Sequence, residues 1–272
     1  MGYDLHIHTQ ASDGIFTAKE IIDQAKAMGL AGIAITDHDT TAAIPSALAY
    51  GQEQNFLVIP GIEISCEEEL SPGDIHEVHI LGYFYDRQNP ALQQKLQWLQ
   101  AHRQERAQQI LKKLEEFGMP LQQDFLEQFH ASGSVGRAVI ARKMVEAGYV
   151  DSINEAFQLW LMQGKPAYVP RAKILPQEAI QLLHQAGGLA IFAHPKLAQV
   201  DEKIPDYIKA GLDGFEIHHP KLTMEDCQHY QAIAQQAGLL TTGGSDCHNG
   251  NLGCCLCSAE EFQALLQRHQ QK

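Results

Sequence analysis

Short apolar runs alternate with amphipathic stretches along much of the chain, which is the pattern of alternating strands and helices. Seven runs bounded by Gly, Pro or Asp predict strands, and in chain order they read YDLHIH, GIAITDHD, FLVIPGIEIS, HEVHILGYF, GLAIFAHP, GFEIHH and LLTTGGSDCH. Several runs are apolar on both faces, so they predict a mainly parallel sheet covered by helices, either as a barrel or as an open sheet. Capping boxes at Thr17, Ser152 and Ser258 predict the starts of three helices.

The middle of the chain has a different pattern. From about Asn89 to Gly164 no strand pattern occurs, and apolar residues recur near helical spacing on a Gln-rich, charged background; they are Leu92, Leu96, Leu99, Ile110, Leu114 and Phe117. We therefore expect residues 89–164 to form a helical insertion, or cap domain, in a barrel built from residues 1–88 and 165–272. A plain polar helical spacer is the simpler interpretation for most of this length.

Composition narrows the class of protein. The chain has 272 residues, of which 44% are hydrophobic, and no apolar run approaches the roughly 18 residues of a membrane span, so a soluble globular protein is expected. There is no charged-then-apolar leader, and the six cysteines include no pair of CxxC motifs, so we expect reduced thiols and a cytoplasmic location. The formal net charge of −13 disfavours long duplex nucleic acid as a partner, and a small anionic substrate would need local cations.

Side chains that can bind metals collect at the ends of the predicted strands. His6 and His8 are two residues apart, so they project from the same face of the first strand. A hydrogen-bonded pair in a half-buried strand would explain these two alone, but similar residues occur on other strands, namely His38, Glu63, His79, His194, Asp246 and His248. Chemistry in parallel α/β folds sits at the carboxyl ends of strands, so this joint placement predicts a metal site. Imidazole and carboxylate without thiolate suit Mn²⁺, Zn²⁺ or Fe²⁺.

Six motifs in a characteristic order resemble a known family. DLHIHTQASDG, ITDHD, GIEIS, HILGY, FAHP and GSDCH are similar to the motifs of the PHP (polymerase and histidinol phosphatase) family. The resemblance implies a metal-dependent phosphoesterase with an α/β fold, a distorted seven-stranded (β/α)7 barrel of TIM-like type. With its helical insertion, the chain looks most similar to the branch that removes the 3′-phosphate of nucleoside 3′,5′-bisphosphates, of which related members trim the 5′ ends of short RNA.

The resemblance also implies a centre of three divalent metal ions. One ion would be held by His6, His8, Glu63 and Asp246, a second by Glu63, His79 and His194, and a third by Asp13, His38 and His248. Glu63 would bridge two ions, and Glu63, Asp246 and His194 are the residues expected to be essential for catalysis. Hydrolysis would proceed by attack of a metal-bound hydroxide, because divalent ions lower the pKa of bound water from 15.7 to roughly 7.

Capture of a phosphorylated substrate needs fixed cations, and the resemblance implies that Arg137, Lys165 and Arg171 supply them. The planar guanidinium matches phosphate oxygens, so the two arginines rank above the lysine. Relatives with the insertion have the sequence GRPH where this chain has GRAV, so Ala138 and Val139 depart from the family pattern at this segment.

Three functions remain open. The first is a phosphoesterase that acts on a small phosphorylated nucleotide, a nucleoside 3′,5′-bisphosphate, or on a short oligonucleotide. The second is a histidinol-phosphate-like phosphatase for a small amine-bearing monoester, and the third is a non-catalytic metal-binding module, against which the full ligand set counts. An amidohydrolase would share the barrel and the histidines, but it usually has a two-metal site and a different motif order. No membrane partner is expected.

Overall fold

A single seven-stranded sheet forms the centre of the computed structural model, which describes residues 2–129 and 133–272. Residues 130–132, which fall in the predicted insertion, lie outside the described residues. Every predicted strand overlaps an observed one. The strands are β1 (Tyr3–Asp4), β2 (Gly32–Ile35), β3 (Leu57–Ser71), β4 (Asp74–Tyr83), β5 (Leu189–Phe192), β6 (Gly214–His218) and β7 (Leu240–Gly243).

The sheet nearly closes into a barrel in which neighbours in sequence are also neighbours in space. β1, β2 and β3 pair in parallel, as do β5, β6 and β7, whereas β4 is antiparallel to both of its neighbours. At the seam the backbone N–H of Leu5 donates to the carbonyl of Gly243 over 3.2 Å, and that of His8 donates to Cys247 over 2.9 Å. The expected distorted seven-stranded α/β barrel is confirmed, and the sheet is not an open one.

A long hairpin between β3 and β4 interrupts the parallel pattern. The acidic stretch after Ser65 continues β3 to Ser71, and the chain then turns through Pro72 and Gly73. Gly73 has a φ of 86°, which suits the Pro-Gly pair of a tight turn. The sequence predicted two strands here but not their antiparallel pairing. The pairing places Ser65 opposite His79 and continues to Ser71 and Asp74, beyond the residues of β4 that pair with β5.

Helices flank the barrel and fill the middle of the chain. All three predicted caps, Thr17, Ser152 and Ser258, accept a hydrogen bond from the backbone N–H three residues later. The α-helices are α1 (Ala18–Ala27), α2 (Ile44–Glu53), α3 (Pro90–Glu116), α4 (Arg137–Glu146), α5 (Ile153–Ala156), α6 (Pro176–Gln185), α7 (Pro195–Ala198), α8 (Ile204–Lys209), α9 (Met224–Ala237) and α10 (Ala259–Gln270). Short 3₁₀ helices cover Asp124–Phe129 and Asp201–Lys203, and a π-helical turn covers Phe157–Leu161.

Helix α3 connects two apolar cores. Leu92 and Leu96 in its first half pack with the barrel strands, whereas Ile110 and Leu114 in its second half pack with α4 and its neighbours. Because α3 belongs to both cores, the division into a barrel and an insertion at residues 89–164 stays a prediction. Among the described residues, no helix has both the length and the apolar character that a membrane crossing requires.

Candidate metal centre

The nine residues of the predicted metal centre meet at one end of the barrel. Most of them follow the carboxyl ends of β1, β2, β5 and β7, whereas Glu63 and His79 lie inside the hairpin strands. The backbone bridge between His38 and Glu63 brings the segment after β2 against β3. The nine residues, which the sequence placed near the ends of several strands, therefore form one contiguous cluster.

Two of the nine residues have a left-handed backbone. His194 has a φ of 30° and Asp246 a φ of 49°. A non-glycine residue in this region costs on the order of 1–3 kcal/mol and is retained where the surrounding structure holds it. The two residues lie two and three positions after the ends of β5 and β7, respectively, and their side chains contact Glu63 and His8 of the cluster.

Glu63 is the hub of the cluster and is only 1% exposed. Its Oε1 lies 2.7 Å from Nδ1 of His79 and 3.2 Å from Nε2 of His194. Its Oε2 lies 2.9 Å from Nδ1 of His38 and 3.3 Å from Nε2 of His8. One carboxylate therefore reaches imidazoles from four separate segments of the barrel, as a bridging ligand would.

Asp246 and Asp13 extend the cluster to either side of His8. Asp246 Oδ1 lies 3.2 Å from Nε2 of His8 and 3.5 Å from Nε2 of His6. Asp13 Oδ1 lies 3.2 Å from Nε2 of His248, and its Oδ2 lies 3.8 Å from Nε2 of His38. The cluster thus alternates carboxylates and imidazoles, which is the donor set of divalent transition-metal sites.

Buried polar atoms without partners support a metal site. Among the described residues, Nε2 of His6, Nε2 of His8, Oε2 of Glu63 and Nδ1 of His194 are buried and make no hydrogen bond. Unpaired buried polar atoms are costly, so their concentration in one place calls for a ligand. Three groups of donor atoms lie within 4.8 Å of one another; they are His8–Asp13–His38–His248, His6–His8–Glu63 and His38–Glu63–His79. The residues present fit metal binding.

The charges of the cluster point to a cation. Burial opposes the negative charge of Glu63, but His79, His38 and His6 hold the pKa of its carboxyl well below its usual range. Burial likewise opposes the protonated form of His8, yet Asp246 and Glu63 raise the pKa of its ring to about 10. The carboxylates thus favour protons on the rings of His6 and His8 unless another cation replaces those protons, which metal ions do when they bind.

Four arginines surround a cavity of about 230 Å³ that adjoins the cluster. His38 and His79 of the cluster share its walls with Arg103, Arg106, Arg137 and Arg171. Burial, together with the neighbouring Arg137 and Arg103, lowers the pKa of Arg106 to about 9. Guanidinium groups packed this closely favour an anion between them. A second cavity of about 370 Å³ continues from Arg106, Arg137 and Arg171 toward Phe157 and Tyr168.

The three residues predicted to bind substrate behave differently. Arg137 and Arg171 line both arginine cavities. Lys165 is exposed, and it is not among the described residues that line either cavity. In the segment that departs from the family pattern, Ala138 faces the cavity beside the cluster, and Val139 packs in the helical core.

A comparison with protein families decides the classification. A family model described as the PHP domain matches residues 4–165, which is more than half of the chain. The chain belongs to the PHP family. The resemblance on which the expected fold and activity rest is thereby confirmed.

Relatives of this PHP protein cover nearly its whole length. A 5′-3′ exoribonuclease from Haemophilus influenzae is 36% identical over 251 residues, which are 90% of this chain and 89% of the relative. A 3′,5′-nucleoside bisphosphate phosphatase from Chromobacterium violaceum is 32% identical over 251 residues, which are 90% of this chain and 86% of the relative. A solved structure of a candidate metal-dependent phosphoesterase from Bifidobacterium adolescentis has a TM-score of 0.90 and 30% identity, and the match covers 98% of this chain and 96% of that one.

The PHP protein is a metal-dependent phosphoesterase, a hydrolase that acts on phosphoester bonds. The expected enzyme class is confirmed. The fold places a cluster of histidines and carboxylates that could hold metal ions beside a cavity lined by four arginines.

Sequence reasoning missed several residues around the PHP centre. Glu216 and His219 are buried and contact His6 and Asp246, respectively, and Arg103 and Arg106 complete the basic cavity. Glu216 had a signal, because a glutamate inside the apolar run GFEIHH needs a buried partner. Arg103 and Arg106 had none, since a helix with many charged residues does not reveal which of them face the barrel.

Proposed function

We propose that the protein hydrolyses the bond between phosphorus and O3′ of a nucleotide that carries a 5′-phosphate, with nucleoside 3′,5′-bisphosphates as its substrates. One observation carries this proposal. The metal cluster and the arginine cavity share wall residues, but metal ions would bind an anion in one and guanidinium groups would bind it in the other. A separate anion-binding site of this kind is useful if the substrate has a second phosphate. The names of the two curated relatives support the same choice.

A short RNA with a 5′-phosphate is the second candidate substrate. Release of a 5′ mononucleotide from such an RNA breaks the same bond to O3′, except that the phosphorus also carries the next nucleotide. The relative from Haemophilus influenzae, named as a 5′-3′ exoribonuclease, favours this activity. The net charge of −13 favours short strands over long duplexes, because attraction of a long phosphate backbone needs a basic surface.

We assign the metal-holding role to nine residues, with up to three divalent ions of Mn²⁺, Zn²⁺ or Fe²⁺. The residues are His6, His8, Asp13, His38, Glu63, His79, His194, Asp246 and His248. Divalent ions at this place would neutralise phosphate oxygens and lower the pKa of water to roughly 7. Glu63, Asp246 and His194 would bind the ions on which catalysis depends. Glu216 fixes the orientation of His6 through its contact with Nδ1 of that ring.

The arginines position the substrate. Arg171 is 10% exposed and its Nη1 is buried without a hydrogen-bond partner among the described residues. This atom can donate to a 5′-phosphate oxygen, and Arg137, which lines the same cavity, can donate to another. Binding energy from this remote phosphate orients the bond that reacts.

Comparison of kcat/KM for adenosine 3′,5′-bisphosphate and adenosine 3′-phosphate tests the proposal. If the arginines hold the 5′-phosphate, the bisphosphate is the better substrate by roughly 10-fold or more, which corresponds to one charged hydrogen bond. Equal values for the two compounds would contradict the proposal. Preference for histidinol phosphate over both would favour the small-molecule phosphatase instead.

A further inference from the structure

Glu77 on β4 joins the metal cluster to the substrate arginines. Its Oε2 lies 2.7 Å from Nη2 of Arg137, and its Oε1 accepts a hydrogen bond from Nη2 of Arg171. The same Oε1 lies 3.1 Å from Nε2 of His79. Glu77 therefore occupies the space between the two guanidinium groups that a phosphate would bridge.

The carboxylate of Glu77 needs a neighbouring cation, because a second carboxylate lies next to it. Glu67 lies directly opposite Glu77 in the β3–β4 register, and like charges opposite each other destabilise a sheet. Arg171 relieves this repulsion because its Nε lies 3.4 Å from Oε1 of Glu67 while its Nη2 binds Glu77. The pairing of Glu77 with the arginines thus depends on a guanidinium that the substrate also needs.

Glu77 can leave the arginines at modest cost. Its side chain is 41% exposed, and water screens the ion pairs of an exposed carboxylate, so each pair is weak. Glu77 also lines the arginine cavities and the cavity around His194 and Lys221, so it has open space on each side. After displacement its carboxylate still has Nε2 of His79 as a partner.

We propose that Glu77 is an internal competitor for the 5′-phosphate, which takes the place of that phosphate between Arg137 and Arg171 whenever the cavity holds no nucleotide. This inference rests on the proposed function. In both proposed reactions the released nucleotide keeps its 5′-phosphate, so the group that captures the substrate would also retain the product. Return of Glu77 to the arginines favours release of that product and limits product inhibition.

The competition acts only on ligands that have a 5′-phosphate. A nucleotide pays the cost of breaking both Glu77 pairs, whereas a nucleoside without the phosphate leaves them intact. Removal of the charge at Glu77 should therefore strengthen binding of AMP and leave binding of adenosine unaffected. A residue that only supported the fold or His79 would have the opposite effect, because its loss would weaken binding of the nucleotide.

Calorimetric titration of the metal-loaded protein with AMP tests the inference. In Glu77→Gln, which keeps the size of the side chain and an acceptor for His79, the Kd of AMP should fall roughly three- to tenfold, the factor that corresponds to two partly exposed pairs. Glu69→Gln is the matched control. Glu69 lies in the same hairpin and forms a 3.1 Å ion pair with Lys173. It is not among the described residues that line the three cavities next to Glu77.

Hydrolysis of adenosine 3′,5′-bisphosphate provides a second readout. Glu77→Gln should lower KM and strengthen inhibition by AMP by a similar factor, and kcat should fall if release of AMP limits the rate. An unchanged or higher Kd of AMP in Glu77→Gln, with binding to the unaltered protein intact, would overturn this inference alone. Failure of the unaltered protein to bind AMP would overturn the proposed function and this inference together.

Discussion

Glu216 Oε1 lies 2.9 Å from Nδ1 of His6, and this contact links β6 to the segment after β1 across the interior of the barrel. The other carboxylate oxygen of Glu216 accepts the backbone N–H of His194 over 3.0 Å. Burial opposes the charge of Glu216, but His6 lowers the pKa of the carboxyl below its usual value. One acidic side chain therefore orients two residues of the metal centre, and it leaves Nε2 of His6 as the atom that faces the cluster.

Replacement of Glu216 by Gln should weaken metal binding. Loss of a carboxylate that orients a ligand imidazole typically costs roughly 10- to 100-fold in metal affinity or activity. Competition with a chromophoric chelator measures the affinity. Glu68→Gln is the control. Glu68 is also a buried carboxylate, but it accepts a hydrogen bond of 3.1 Å from the hydroxyl of Tyr207 and does not contact the cluster among the described residues. Equal affinities in the two variants would contradict an orienting role.

The protein purified without chelator should carry about two to three transition-metal ions per chain, as the donor groups of the cluster allow. Mass-spectrometric metal analysis measures the stoichiometry. Exhaustive chelation should abolish hydrolysis, and added Mn²⁺ should restore it. Less than one ion per chain after reconstitution with Mn²⁺ would be incompatible with a centre of several ions.

Glu63→Gln should be the most damaging single change in the cluster. A carboxylate between several imidazoles can serve two ions, so the loss of kcat/KM should exceed the roughly 10- to 100-fold that is typical of residues acting through a ligand. Glu68→Gln on the other face of the same strand should retain activity. Activity within a few-fold of the unaltered protein would remove Glu63 from the centre.

Arg137→Ala should raise KM for a nucleotide by an amount that matches a lost charged hydrogen bond, roughly 1.5–3 kcal/mol. An aryl phosphate without a second phosphate should lose less. Steady-state kinetics with both substrates measures the difference, and Lys165→Ala is the comparison, because Lys165 is exposed. The same loss on both substrates would show that Arg137 supports the structure instead of recognition, a role that its position 5.5 Å from the Phe157 ring would allow.

Acid should weaken the docking of α10 through Glu261. Burial opposes the charge of Glu261, but hydrogen bonds from His218, Ser258 and Thr241 lower the pKa of its carboxyl to about 2. A carboxyl with a lowered pKa contributes stability above its ordinary value of 4.5, and that contribution is lost as the pH falls toward 2. Its size is on the order of 1 kcal/mol, because partial exposure screens the interaction.

Urea unfolding of the chelated protein between pH 5 and 2.5, a range of about two to three units around the ordinary carboxyl pKa, checks this prediction. Glu261→Gln should have a lower free energy of unfolding at pH 5, and the difference from the unaltered protein should shrink with acid. The exposed neighbour variant Glu260→Gln is the control. A difference that stays constant with pH would show that the Glu261 charge contributes nothing to stability.

The sequence predicted the strands well because strand formation here depends on local patterns. Apolar runs bounded by Gly, Pro or Asp mark β2 and β5 directly, since both are buried on all sides. The capping residue Thr17 likewise acts within three residues of its own position. By contrast, the direction in which β3 pairs with β4 depends on a turn at Pro72 and Gly73 and on packing against distant segments, which no short window contains.

The sequence by itself determined which residue types stand at the carboxyl ends of the strands, and therefore that histidines and carboxylates meet at one end of the barrel. Only the tertiary structure decided how they are connected. Glu216 contacts His6 across 210 positions of the chain. Glu77 on β4 contacts Arg137 and Arg171, which lie far from it in the sequence. Long flexible side chains such as arginine can face in many directions, so the fold and not the local sequence selects Arg103 for the cavity and leaves Lys165 exposed. The physical reason is that backbone periodicity is a local property, whereas the neutralisation of buried charge requires partners that folding alone brings together.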